Sequence, residues 1–135
     1  MSQGILWATL SSDSIEALEK VITRPNGMIA PKHFHITLIF NVDKDDLRCQ
    51  QMLGKILTLK VSEVRYNHEI MAISVNLSKT GLTSCKQSPH ITWGLTPGTP
   101  PVKSDEILEN SNNSILFTPT QVQVEVEFFE FPQKK

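Results

Sequence analysis

The sequence is poor in arginine, and this shortage limits the nucleic acids that the protein can bind. The 135-residue chain has three arginines, at positions 24, 48 and 65, and its formal net charge at pH 7 is −1. Tight binding to a long nucleic acid usually depends on a broad basic surface. The composition therefore argues against a duplex-binding protein and favours a short or small substrate.

Cysteines and long apolar runs are also scarce. Cys49 and Cys85 are the two cysteines, too few for a disulfide framework and without metal-ligand spacing. We interpret them as free thiols in a reducing compartment and predict a cytoplasmic protein. The N-terminus lacks the pattern of a signal peptide, and no apolar run is long enough to span a bilayer. We expect no membrane attachment, and no pattern indicates a required protein partner.

In other respects the amino-acid composition is that of an ordinary globular protein. Hydrophobic residues make up 39% of the chain and charged residues 20%, and this length is sufficient for one domain with its own core. We expect a single domain over residues 1–135.

The hydrophobic patterns alternate between strand and helix along the chain. We predict strands at 4–10 and 33–41, a helix from a cap at 11–14 to about residue 23, and a second helix at 43–57. A hairpin at 60–66 and 70–77 follows, then a strand at 89–95, a short helix at 104–110 and a strand at 120–131. This order predicts an α+β fold in which each half contributes a similar strand.

Two short motifs carry the chemistry, His35-Ile36-Thr37 and His90-Ile91-Thr92. Side chains alternate between the two faces of a strand, so each motif places an imidazole and a hydroxyl on one face and an isoleucine on the other. If the two polar faces meet, the site holds two imidazoles and two hydroxyl donors. Hydrolysis of a phosphodiester without a metal needs a base, an acid and donors to the phosphoryl oxygens.

The paired motifs resemble those of the 2H phosphoesterase superfamily. The segment after the second motif, P-H-I-T-W-G-L-T-P-G-T-P-P-V-K-S, is similar to that of the members found in tRNA ligases. The resemblance implies a bilobal α+β fold, with two antiparallel sheets forming a central cleft and helices on the outside. It also implies that His35 and His90 are the acid and base, that Thr37 and Thr92 bind phosphate, and that no metal or other cofactor is needed.

The same resemblance implies a phosphodiesterase acting on a small nucleotide or an RNA end. A 2′,3′-cyclic phosphate, a 2′-5′ oligoadenylate and a cyclic dinucleotide all remain open as substrates. The last two would fit a small viral protein that blunts immune signalling. The sequence does not distinguish which histidine is the base.

Two other interpretations stay open. One is a binding module that holds RNA or a nucleotide on the same fold without turnover. The other is a small zinc protein that uses His33, His35 and His90, because His33 can share the face of His35. Strand alternation points Trp93 away from the catalytic face and predicts that it packs in the core. We interpret the acidic strand around residues 125 and 127 as an exposed face that carries no functional site.

Overall fold

The computed structural model describes residues 3–78, 80–85, 88–100 and 113–132. Its elements, in chain order, are β1 (Gln3–Leu10), α1 (Ser12–Val21), β2 (His35–Asp43), α2 (Leu47–Met52), β3 (Ile56–Tyr66), β4 (Ile70–Ser74), β5 (His90–Leu95) and β6 (Ser114–Glu130). The helix predicted at 104–110 lies outside the described residues. The α+β class is confirmed, with strands far outweighing helices.

Within the described residues the strands form one closed antiparallel sheet in the order β1-β2-β5-β4-β3-β6. Two separate sheets were expected. The pairing joins them because β6 is long enough to pair with β3 through residues 114–125 and with β1 through residues 124–130. This strand was predicted to begin at 120 and begins six residues earlier, at Ser114.

A row of apolar side chains crosses the sheet and forms the middle of the core. Each member stands directly opposite the next on the neighbouring strand, and each is at most 1% exposed. In strand order the row is Val126, Ala8, Ile36, Ile91, Ile73 and Val64. Because directly opposed residues share a face, the residues flanking this row on every strand lie on the other face of the sheet.

Helix α1 begins where its sequence predicts. The Ser11 hydroxyl accepts a hydrogen bond from the Ser14 N–H at 3.2 Å, which caps the first turn. Leu18 and Ile22 are buried, whereas Val21 is 39% exposed. The helix ends at Val21, so this exposed side chain lies in its last turn.

The second helix is much shorter than predicted. The sequence predicted a helix over 43–57, but α2 covers Leu47–Met52 and β3 begins at Ile56. Asp46 caps its start by accepting from the Arg48 N–H at 2.9 Å. Gly54 then adopts a φ of 83°, a left-handed conformation that a helix cannot continue through. Its N–H donates to the Val126 carbonyl, so the chain turns directly into the sheet.

The hairpin and the second-motif strand form where predicted, but β3 begins four residues before the predicted 60 and β4 ends at Ser74 instead of 77. β3 and β4 pair antiparallel, and the Asn67 side chain accepts from the N–H groups of residues 69 and 70 to hold the turn. Cys49 and Cys85 are both free thiols. No helix among the described residues is long and apolar enough to cross a membrane.

Arg24 ties the segment after α1 to the strand of the second motif. Its Nε donates to the Trp93 carbonyl at 2.7 Å, its guanidinium carbon lies 4.2 Å from the centre of a Trp93 ring, and its Nη1 pairs with Glu19 at 2.8 Å. Trp93 itself is fully buried, as strand alternation predicted. Arg24 therefore packs against the residue that directly follows the second motif.

Ile91→Ala tests the central row. The substitution leaves a cavity between β2 and β4 and should lower the free energy of unfolding by about 2–5 kcal/mol. Ile56→Ala removes the same atoms from a side chain that is 58% exposed, and should cost less than about 1 kcal/mol. Urea denaturation of both variants measures the difference. Equal losses would mean that the row is not the centre of the core.

Candidate active site

The structure brings the two H-I-T motifs onto adjacent strands. β2 and β5 run antiparallel, and Ile36 pairs with Ile91 as their one registered partner. Extending that register by one residue in each direction places His35 opposite Thr92 and Thr37 opposite His90. The four polar side chains therefore lie on one face of the sheet, with each imidazole facing a hydroxyl across the strand boundary.

Beyond this pair, β2 and β5 separate, and a loop fills the gap. The Ser84 hydroxyl donates to the Thr37 carbonyl at 2.7 Å, and the Cys85 N–H donates to the Leu38 carbonyl at 2.6 Å. The loop before the second motif thus replaces β5 as the partner of β2. As a result, the strand contact at the site is confined to the motifs themselves.

Both imidazoles are held by the same backbone arrangement. His35 Nδ1 lies 3.3 Å from the carbonyl oxygen of His33, and His90 Nδ1 lies 2.9 Å from that of Ser88. Each carbonyl belongs to the residue two positions earlier in the chain. Because a carbonyl oxygen only accepts, Nδ1 carries the hydrogen in both rings, which leaves Nε2 as the nitrogen able to accept a proton.

The surroundings of His35 favour its neutral form. Burial, together with the nearby His33 and His90, lowers the pKa of His35 from 6.5 to about 4 although the backbone hydrogen bond opposes that change. At neutral pH this imidazole is therefore uncharged and able to accept a proton.

Trp7 forms much of the wall that buries His35. The two rings are 4.3 Å apart between centroids, and Phe129 packs on Trp7 at 4.7 Å. Trp7 stands opposite Thr37 on β2, between the buried Leu6 and Ala8 of β1. Sequence reasoning did not place it at the site. The strand alternation that predicted Trp93 in the core would, when applied to β1, have placed Trp7 on the face opposite to that of Leu6 and Ala8.

On the side of β4 and β3 the site face continues with polar groups. Ser74 stands opposite His90, and its hydroxyl donates to Glu63 Oε1 at 3.0 Å. Arg65 Nε donates to the same oxygen at 3.5 Å. Arg65 stands opposite Ala72, which in turn stands opposite Thr92. These positions were missed because the sequence does not reveal which strands neighbour the motifs.

On the other side the face ends in carboxylates. Glu127 stands opposite Trp7, and Glu125 stands opposite Thr9, the partner of His35. Both glutamates are exposed, as their strand pattern predicted. They nevertheless share the face of the motifs. The candidate site thus lies between a side that carries an arginine and a side that carries two acids.

The zinc interpretation lacks a suitable ligand arrangement. Among the described residues, no three side chains of His, Cys, Asp or Glu converge as metal ligands would. His33 is exposed and lies beside Trp7, with ring centroids 5.5 Å apart. It therefore extends the aromatic wall beside His35.

The arrangement supplies the groups that phosphodiester cleavage requires. Two imidazoles offer a proton acceptor and a proton donor, and two threonine hydroxyls offer hydrogen bonds to phosphoryl oxygens. Thr92 is 8% exposed and Thr37 is half-buried. Hydrogen bonds at such partly desolvated positions are stronger than those in open water.

Comparison with known families agrees with this chemistry. The family model of the fungal tRNA ligase phosphodiesterase domain matches residues 43–130. This match covers more than half of the chain, which therefore belongs to that family of 2H phosphoesterase domains. The resemblance drawn from the two motifs is confirmed, and membership indicates a phosphodiesterase that acts on RNA or nucleotides.

The matched range includes the second motif and begins after the first. The place of His35 at the site therefore depends on the pairing of Ile36 with Ile91. No curated protein matches the chain.

The lowered pKa of His35 predicts how stability depends on pH. An unfolded histidine titrates near 6.5 and folded His35 near 4, so between these values the unfolded state binds more protons. The free energy of unfolding should therefore be fully retained above about pH 6.5 and fall as the pH drops to 4, by up to about 3 kcal/mol from this group.

Chemical denaturation across this pH range measures the effect. His35→Gln, which does not titrate, should show a smaller fall than the wild-type protein. His68→Gln, in the exposed turn between β3 and β4, should keep the wild-type slope. A His35→Gln profile identical to the wild-type profile would show that His35 is not held neutral by the fold.

Proposed function

We propose that the protein is a metal-independent phosphodiesterase that hydrolyses a nucleotide or RNA phosphodiester with His35 and His90 as its proton-transfer pair. The observation that carries this proposal is the pairing of Ile36 with Ile91, because it sets both H-I-T motifs on one face. Membership of the tRNA ligase phosphodiesterase family supports the reaction class. A terminal 2′,3′-cyclic phosphate is the substrate to test first.

His35 is the general base in this proposal. Its lowered pKa keeps Nε2 unprotonated at neutral pH, so it can take a proton from the attacking water. The water oxygen bonds to phosphorus, and the bond from phosphorus to one ribose oxygen breaks. His90 starts as the imidazolium and delivers its Nε2 proton to that leaving oxygen, while Thr37 and Thr92 donate to the phosphoryl oxygens as negative charge develops.

We further propose that the chain is a single domain of two lobes around this site. β1, β2 and the end of β6 form one lobe, and β3, β4, β5 and the start of β6 form the other. Two observations support this division: β2 and β5 share one registered pair, and β6 changes partner around Val124. The free cysteines fit a reducing, cytoplasmic setting.

A substrate panel tests the activity. Purified protein is incubated with 2′,3′-cyclic nucleotides, 2′-5′ oligoadenylate and cyclic dinucleotides, and the products are resolved by chromatography. Turnover of at least one substrate in the presence of EDTA is expected, because the imidazoles perform the proton transfers. Activity that EDTA abolishes and zinc restores would refute metal independence. Binding without turnover would identify a non-catalytic module.

His35→Ala and His90→Ala should each reduce kcat by roughly 10²–10⁴-fold, since each removes one proton-transfer group from a shared transition state. The double variant should be little worse than either single variant. His68→Ala, in an exposed turn, should retain full activity. Near wild-type turnover in either motif variant would exclude the two-histidine mechanism.

Thr37→Val and Thr92→Val keep the strand shape but remove one hydroxyl each. Loss of a donor to the developing phosphoryl charge should lower kcat by about 10–10³-fold. Thr9→Val, on the same face of β1 beside His35, is the control and should have a smaller effect. Wild-type kcat in both motif variants would assign the threonines a structural role.

The assignment of His35 as base also predicts the acid side of the pH profile. The value of kcat/KM should stay high below pH 6.5 and fall only near pH 4, where His35 becomes protonated. Stopped assays with folding checked by circular dichroism measure this limit. An acid limb near 6.5 would contradict the assignment of His35 as the neutral base.

A further inference from the structure

A row of polar side chains crosses the site face on the side of His90 that leads to β3. Ser74 of β4 stands directly opposite His90 of β5. Val64 of β3 stands opposite Ile73 of β4, so Glu63 stands opposite Ser74, one residue further along. Because directly opposed residues share a face, His90, Ser74 and Glu63 lie side by side on three neighbouring strands.

The Ser74 hydroxyl points its hydrogen away from His90. It donates to Glu63 Oε1 at 3.0 Å, and Glu63 lies on the β3 side of β4 whereas His90 lies on the β5 side. The lone pairs of the hydroxyl oxygen, which form the negative end of its dipole, are therefore left towards His90. A hydroxyl in this orientation favours a positively charged ring over a neutral one.

Glu63 adds a negative charge behind this hydroxyl. Opposed side chains on neighbouring strands have Cβ atoms about 4.5–5.5 Å apart, so a carboxylate bonded to Ser74 lies within roughly 10 Å of His90. The Glu63 side chain is 30% exposed, so water screens its charge only in part. Arg65 Nε reaches the same oxygen through a longer contact of 3.5 Å, and its backbone stands in the next row, opposite Ala72. The group that this pair presents in the row of His90 is the carboxylate.

The other ionisable groups around His90 do not supply this charge. β4 has no ionisable side chain, and the nearest titratable ring across β2 is that of His35, which burial keeps neutral by lowering its pKa to about 4. The carboxylates of β6 lie three strands away in the other direction and are exposed, so solvent largely screens them. In the part of the face that the structure describes, these further groups are Arg65 on β3, His33 and His35 at β2, Cys85 in the loop before β5, and Glu125 and Glu127 on β6.

Building on the proposed function, in which His90 is the acid, we propose that Glu63 is a positioning residue that acts through Ser74 to hold His90 in its protonated form. The leaving oxygen of the substrate then meets a ring that already carries the proton to be delivered. Glu63 need not touch the substrate for this role. Loss of its charge should lower the pH at which His90 releases its proton.

Glu63→Gln keeps the shape of the side chain and removes the charge. His90 should then lose its proton about 0.5–1 pH unit lower than in the wild-type protein, a smaller change than a directly adjacent charge would cause. The basic limb of kcat/KM on a 2′,3′-cyclic nucleotide should move down equally, because this profile reports the free enzyme. Above both limbs kcat/KM should be about 3–10-fold below the wild-type value, and below both limbs it should be little changed.

NMR titration of the histidine rings follows the proton on His90 without any substrate. His90→Gln identifies its signals among those of the four histidines. Ser74→Ala removes the intervening hydroxyl and should lower the His90 titration midpoint by a smaller amount than Glu63→Gln. The control Glu127→Gln removes an equal charge from the row of Trp7, three strands from His90, and should move the midpoint by less than about 0.2 pH unit. Urea denaturation checks that each variant is folded.

A His90 midpoint and a basic limb that stay at their wild-type values in Glu63→Gln would overturn this role. So would an equal loss of kcat/KM at every pH, which would indicate a structural role, or an equal shift in Glu127→Gln, which would indicate a general effect of charge. Failure of the proposed function looks different, because the wild-type protein then turns over no substrate. In that case the NMR midpoint still decides: a downward shift in Glu63→Gln supports the link to His90, and an unchanged midpoint refutes it. Should Glu63→Gln not fold, Ser74→Ala decides in the same way.

Discussion

The contact between Ile36 and Ile91 is the interaction on which the candidate site depends. Both side chains are fully buried in the middle of the apolar row, and they are the one registered pair between β2 and β5. Because each isoleucine sits between a histidine and a threonine, burying the pair forces all four polar groups onto the opposite face. The hydrophobic effect thus positions the four polar side chains, because the core cannot be completed in this register without bringing the two motifs together.

Two identical tripeptides acquire different surroundings from the strands beside them. His35 has an aromatic neighbour in Trp7, which withdraws it from water. His90 has a polar neighbour in Ser74, which is bonded to the Glu63 carboxylate. A base and an acid need opposite protonation states at one pH, and different environments around like groups are a common means of obtaining them. The asymmetry of the site therefore originates in β1 and β4, outside the motifs.

Much of this arrangement was predictable from local patterns. Alternation along the strands gave the common face of each histidine and threonine, the burial of Trp93 and the exposure of the glutamates in β6. The length of α2 was not predictable from periodicity, because Gly54 and its bond to β6 end the helix through a long-range contact. Arg65 was missed for a related reason: its place beside the motifs depends on the pairing of β3 with β4 and of β4 with β5, which no local sequence window contains.

The carbonyl groups that hold the imidazoles have one further consequence. Each acceptor belongs to the same segment as its histidine, two residues earlier, and neither bond crosses from one motif to the other. The tautomer of each ring is therefore independent of the spacing between β2 and β5. Widening or narrowing of the gap between these strands would change the distance between the histidines while leaving Nδ1 of each ring bound to its own carbonyl. Such a site can bind ligands of different width and still present the same two Nε2 atoms to them.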